Sequence, residues 1–300
     1  MKNLTKFGTM LLAAALCLGM TSFSEDNNNE GGVGGSGGSA NFASNNPLIK
    51  EAKMLLTKIK IKATGASDNI KIKYDGLFRP KEFTHNMGSK TFIDYETGTI
   101  YEQEKESGKV TFTPQGYIKR YSYSWNWSED EESLEENTSY TYNSEGHATK
   151  VELKDNGKWK NVLSITSITS LRLTSLEWKD ENMVKKSYPW KENWNGGKDE
   201  EKEFATIEYS SLDNRFRQFP YGFMVCLDLD ILGGEYSSVG LWGIGPKKLP
   251  KRMVADDGNT YTFEYELSPN GAVKQEIVKK TDDEGKSYTY KYKYYYTPIN

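Results

Sequence analysis

Turn signals built on glycine, asparagine and aspartate recur along this chain at hairpin spacing, and they limit its fold more than any other feature. They are YDG at 74–76, ETG at 96–98, SG at 107–108, PQG at 114–116, SEG at 144–146 and DNG at 155–157. The series resumes with DDG at 256–258, PNG at 269–271 and DDEG at 282–285. Glycine and asparagine tolerate the positive φ that tight hairpin turns demand, so each signal has a mechanism. Between the turns, residues alternate with period two. YIKRYSYSWNW places Tyr117, Tyr121, Tyr123, Trp125 and Trp127 at odd positions and Arg120, Ser122, Ser124 and Asn126 at even ones. SYTYKYKYYY sets Tyr288, Tyr290, Tyr292, Tyr294 and Tyr296 against Thr289, Lys291 and Lys293. Ile70, Ile72 and Tyr74 alternate with Lys71 and Lys73, and Tyr261, Phe263 and Tyr265 with Thr262 and Glu264. Successive side chains of a strand point to opposite faces, so each segment has one aromatic and one wet face. The pattern predicts an all-β fold: an antiparallel meander of Tyr-rich hairpins forming a soluble barrel or a curled open sheet, with few short helices.

Three stretches interrupt the rhythm. Residues 128–137 are acidic and 192–203 polar, and both read as solvated insertions between strands. Residues 219–250 are apolar and rich in glycine and proline without a two-residue period, which predicts short helix or irregular chain packed across the sheet. A brief helix is also expected at Pro47, capped by Asn46.

The N-terminus reads as an export signal. Lys2 and Lys6 precede an apolar run at 7–20 that is too short to span a bilayer as a helix. The surroundings of position 23 resemble a lipoprotein processing site, but the residue there is Phe23 and not cysteine. Cys17 follows the bulky Leu16, which disfavours lipidation at Cys17, whereas Ser22 and Ser24 suit ordinary cleavage after Ser24. The expected organisation is a signal peptide at 1–24, a disordered Asn/Gly/Ser linker at 25–46 and a single β domain at 47–300.

A mean hydropathy of −0.74 with 27% charged residues describes a water-soluble chain. The formal charge of −3 becomes −5 once Lys2 and Lys6 are removed, giving no footprint for nucleic acid or an anionic membrane. Cys226, inside FMVCLDL, reads as a buried thiol and not a nucleophile. His85 and His147 lie near turns, read as solvent-exposed residues, and lack metal-site spacing. Asp228 with Asp230, and Asp256 with Asp257, supply too few oxygen ligands for calcium. No phosphate loop, nucleophile elbow or Ser-His-Asp arrangement stands out, so no catalytic residue, metal site or cofactor is assigned.

GLWGIGPKKLPKRM, DDGNTYTFEYELSPNGAVKQEI and DEGKSYTYKYKYY resemble the C-terminal part of a family of exported Bacteroidetes proteins of unknown function with a porin-like fold. IKIKYDGLFRPKEF and TPQGYIKRYSYSW are similar to its repeating hairpins, so the resemblance covers about Leu48 to Tyr296. Many members carry the lipid-accepting cysteine that Phe23 replaces here. The family has no established activity, so the resemblance implies no site residues. It does not imply a pore either. Membrane barrels confine aromatics to girdles around an outward apolar band, whereas Tyr and Trp here run along whole strands.

The aromatic stripes carry what functional signal there is. Core filling is the favoured reading of these rings. The other reading is a concave surface for sugars or amphipathic ligands, with Tyr121, Tyr123, Trp125 and Trp127 as the candidate ligand-binding residues. Three functions follow: a noncatalytic binding or adhesion module of the cell envelope, a half-barrel carrier of lipophilic or glycan ligands, or a glycan-active enzyme. The first is favoured, with an envelope or glycan ligand as partner, no nucleic acid, and membrane attachment only through a lipid anchor. The expected location is the periplasm, the outer-membrane surface or the medium.

Overall fold

The computed structural model describes residues 42–299 except 64, 87, 126–133, 162–163, 191–199, 228–233 and 256; side chains are described outside 123–136, 153–173 and 188–204. Sixteen antiparallel strands follow one another in chain order, each bonded to the next, and the last returns to the first to close a barrel. The closing pair is β1 (Met54–Ala63) and β16 (Ser287–Pro298), with Ile59 opposite Tyr294 and Ile61 opposite Tyr292. Beyond the seam, the Ile299 amide donates to the Lys53 carbonyl at 2.7 Å.

The wall follows the period-two reading. Ile70 and Ile72 on β2 (Ala66–Tyr74) and Tyr261 and Phe263 on β14 (Thr260–Leu267) are buried, while Lys71, Lys73 and Glu264 are exposed. On β16, Tyr292 and Tyr294 are buried and Lys293 is exposed. These strands carry charge on the outer face, where a membrane-spanning barrel carries its apolar band. Along β7 (Ile118–Trp125) the alternation is broken: Ile118 and Tyr121 are both buried with exposed Lys119 and Arg120 between them, next to a register shift in the pairing with the preceding strand. Leu134–Asn137, expected in an acidic insertion, are extended as the start of β8 (Leu134–Tyr142).

Several tyrosines near strand ends share one bond. The Tyr74 hydroxyl donates to the Leu56 carbonyl at 2.8 Å, Tyr142 to Ile118 at 2.7 Å, Tyr209 to Met183 at 2.8 Å and Tyr296 to Val273 at 2.8 Å. Each ring adds to the core while its hydroxyl meets a carbonyl of another strand, which phenylalanine could not do. Burial pushes the ionisation of all four well above the ordinary tyrosine range.

Sixteen strands enclose more space than wall side chains can fill, and barrels of this size in membranes hold water. Here the described residues between β12 (Glu200–Asp213) and β13 (Lys248–Ala255) turn into the barrel. It contains two short helices, Tyr221–Leu227 and Gly234–Ser238, and buries Phe219, Phe223, Leu227, Tyr236, Leu241 and Trp242. Phe223 meets Phe263 at 5.6 Å, Tyr221 meets Tyr292 at 5.6 Å, and Tyr236 meets Phe83 at 4.5 Å between ring centroids. The stretch without strand periodicity is therefore a plug. Two further helical turns, Phe42–Asn45 and Pro47–Lys50, precede β1. They and the plug helices are named α1 to α4 in chain order. Asn46 caps α2 as expected, accepting the Leu48 amide at 3.0 Å, and also donates to the Val239 carbonyl of the plug at 2.8 Å. Phe42 is only 2% exposed, so the packed body begins inside the stretch expected to be linker.

Candidate functional site

Two charged clusters join plug to wall. Glu276, on the inner face of β15 (Val273–Thr281), is 0% exposed; it accepts the Gly222 amide at 2.9 Å, the Phe223 amide at 3.0 Å and the Tyr294 hydroxyl at 2.6 Å. At the other end of α3, Lys186 on β11 (Asn182–Trp190) donates to the Leu227 carbonyl at 2.7 Å. A carboxylate at the first turn and an ammonium at the last meet the unpaired backbone groups of both ends. Burial raises the Glu276 pKa to about 7, with the Tyr294 hydroxyl and the two amides opposing it. Gly222 is needed here, because a Cβ would stand 2.5 Å from the Tyr292 ring.

His85 holds the second plug helix. Its Nδ1 lies 3.2 Å from Asp68 on β2, and its Nε2 lies 3.7 Å from Glu235 on α4, an ion-pair distance. Burial alone would depress the imidazole, but the Asp68 hydrogen bond and the Glu235 carboxylate raise its pKa to about 10. His147 is 1% exposed and stacks on Trp178 at 4.2 Å, with the Arg217 guanidinium 3.4 Å from Nε2. Burial and Arg217 lower its pKa. Both histidines were expected in solvent. The expectation fails because turn position is local, whereas Glu235 and Trp178 reach them from distant parts of the chain.

Neither histidine is placed as a general base. Both ring nitrogens of His85 face carboxylates, and His147 is flat against an indole. Cys226 is buried in the plug, which pushes its thiol up and away from nucleophilic character. Among the described residues, no group of three or more His, Cys, Asp or Glu could hold a metal ion. Asp228, Asp230 and Asp256 lie outside the described residues, as do Cys17 and Phe23.

Of the aromatic candidates, Tyr121 is 8% exposed and belongs to the core, opposite Val110 and Thr138. Tyr123 and Trp125 lie on β7 with side chains outside the description, and Trp127 lies outside the described residues.

A surface recess lies elsewhere among the described residues. A groove of about 360 Å³ opens beside the β1–β16 seam, lined by Lys60, Lys62, Lys291, Lys293 and Tyr295, with Asn69 and Asn86 at its side. Tyr295 is 40% exposed, and the Lys58 and Lys60 ammoniums stand 5.5 and 5.4 Å from its ring centre. Nothing in the sequence singled these lysines out, since they alternate like an ordinary wet face.

A porin-like protein from Bacteroides uniformis ATCC 8492, solved by crystallography, superimposes with a TM-score of 0.55 at 14% identity, over 81% of this chain and 98% of that one. The chain has the porin-like fold. A second porin-like protein, from Bacteroides vulgatus ATCC 8482, matches over the same shares at 14% identity with a TM-score of 0.48. No protein-family model matches the chain, and no curated protein matches it. In this chain the plug helices bury their aromatic side chains inside the barrel.

Proposed function

We propose that this chain is a noncatalytic binding module of the cell envelope that meets its ligand on the outer wall of a filled barrel. The plug carries this reading. Its aromatic side chains occupy the space that a carrier of lipophilic ligands would keep open, and Glu276, Lys186 and His85 are engaged in holding it. Paired acids facing an aromatic cleft would favour a glycan-active enzyme. Glu276 instead spends its lone pairs on the plug, and Asp68 and Glu235 spend theirs on His85. Export past an N-terminal signal, followed by a polar tether, would present such a body to the periplasm, the outer-membrane surface or the medium.

The test is cosedimentation of the full chain with a purified bacterial envelope fraction, followed by analysis of the fraction for cleavage. The proposal expects saturable retention with the polysaccharides uncut. Release of new reducing ends would mark an enzyme, and failure to associate with any envelope component would refute the binding reading.

A further inference from the structure

At the seam where the barrel closes, lysine faces lysine twice, and once more on the neighbouring strand pair. Lys60 is opposite Lys293 and Lys62 opposite Lys291 between β1 and β16, while Lys58 is opposite Lys71 between β1 and β2. Like charges directly opposite each other destabilise a sheet. Elsewhere the outer wall sets opposite charges together: Lys73 with Glu82 at 2.8 Å, Arg252 with Glu208 at 3.0 Å and Lys279 with Glu264 at 2.6 Å. Among the described residues, none of the six seam lysines pairs with a carboxylate. The two nearby acids are engaged already. Asp68 holds His85 and the amides of Asn69 and Asn86, and Glu266 is paired with Lys274 while attracting Lys291 and Lys293 from beyond ion-pair distance. The seam is thus a concentrated positive patch on a chain whose formal charge is −3.

Its shape and neutral groups select among anions. Lys60, Lys62, Lys291 and Lys293 border a groove, which accommodates a single chain better than a flat bilayer surface. Ser67, Asp68, Asn69 and Asn86 line the same groove; Asn69 Nδ2 donates to Asn86 Oδ1, which leaves the Ser67 hydroxyl, the Asn69 side-chain oxygen and the Asn86 amino group suited to sugar hydroxyls. The Tyr295 ring has two lysine ammoniums against it and is not a free platform for a nucleobase. We propose that the β1–β16 seam binds an acidic polysaccharide, with the lysines meeting its carboxylate or sulfate groups and the amides its hydroxyls. This rests on the binding-module reading and names its ligand class.

The test uses the full chain on immobilised heparin (sulfated), polygalacturonate (carboxylated) and neutral dextran, alongside phosphatidylglycerol vesicles. The wild type should be retained on at least one acidic polysaccharide, be released by salt, and pass through dextran. Lys60→Gln with Lys293→Gln should weaken that binding about tenfold while melting at or above the wild-type temperature, because like-charge repulsion is relieved. Lys119→Gln with Lys251→Gln, exposed elsewhere, should bind like wild type. Equal binding by wild type and the seam variant, equal loss in the control pair, or binding to vesicles without binding to either polysaccharide would overturn the assignment. Retention on the envelope fraction without binding to acidic polysaccharide would refute the seam alone and leave the module reading standing.

Discussion

The Glu276 carboxylate accepts the Gly222 amide at 2.9 Å, joining the inner wall of the barrel to the first turn of the plug. The wall residue is fully buried, and the plug residue must be glycine to come so close to Tyr292. Wall and plug are thus fitted to each other.

This contact makes stability depend on pH. Burial raises the Glu276 pKa from 4.5 to about 7, so between those values the folded chain binds a proton that the unfolded chain has released. Through this group, stability should rise as pH falls from 7.5 to 4.5, by about 3 kcal/mol in all. Glu276→Gln cannot ionise and should lack that component. Urea melts of both proteins at pH 5 and pH 7.5 check it, and parallel pH profiles would show that Glu276 titrates normally.

His85 acts in the alkaline range. Its pKa, raised from 6.5 to about 10, means that the ion pairs with Asp68 and Glu235 contribute fully below pH 6.5 and fade as pH climbs to 10. The wild type should therefore lose melting temperature between pH 7 and pH 10 more steeply than His85→Gln does. Calorimetry across that range measures the difference.

The final strand separates core from surface. Tyr290→Ala with Tyr292→Ala should cost roughly 3–6 kcal/mol, approaching the stability of a typical domain. Lys291→Gln with Lys293→Gln should leave stability unchanged or slightly raised, since Lys293 faces Lys60 and Lys291 faces Lys62. Urea midpoints of the two double variants decide this.

The strand-end tyrosines allow a single-atom test. Tyr74→Phe keeps the ring but strands the Leu56 carbonyl, and should cost about 1 kcal/mol. Tyr295→Phe, on the outer wall, should cost almost nothing. Thermal melts of both variants would show whether the hydroxyl matters.

What was legible in the sequence was local. Alternation in 70–74, 261–265 and 288–296 announced the inner face, because pleating is a property of consecutive residues. Most of the turn signals announced antiparallel neighbours for the same reason, but SG at 107–108 lies inside the strand Lys105–Phe112 and DNG at 155–157 inside the strand Ala148–Asn161, where the two glycines pair with Tyr123 and Ile168. Residues 219–250 were visible as a break in rhythm, but the place of 219–227 and 234–242 inside the barrel depends on Phe263, Tyr292 and Phe83, which no local pattern links to them, and Lys248–Pro250 already belong to β13. Closure depends on pairing Ile59 with Tyr294, 235 positions away, and the lysine seam exists only once that pairing has formed. Within the sequence, Lys58, Lys60 and Lys62 look like any solvated strand face. His147 misled for the opposite reason, since its turn suggested water and the Trp178 ring removes it.

Hydrogen exchange at the Gly222 and Phe223 amides tests the filled barrel most directly. Both amides lie in the lumen and donate to Glu276, at 2.9 and 3.0 Å. If the plug is part of the packed core, they should exchange only when the whole domain unfolds, with the same dependence on urea as core amides of β14 and β15. Exchange within seconds to minutes under native conditions, while the wall strands stay protected, would mean that the plug opens from an intact barrel and would contradict the account.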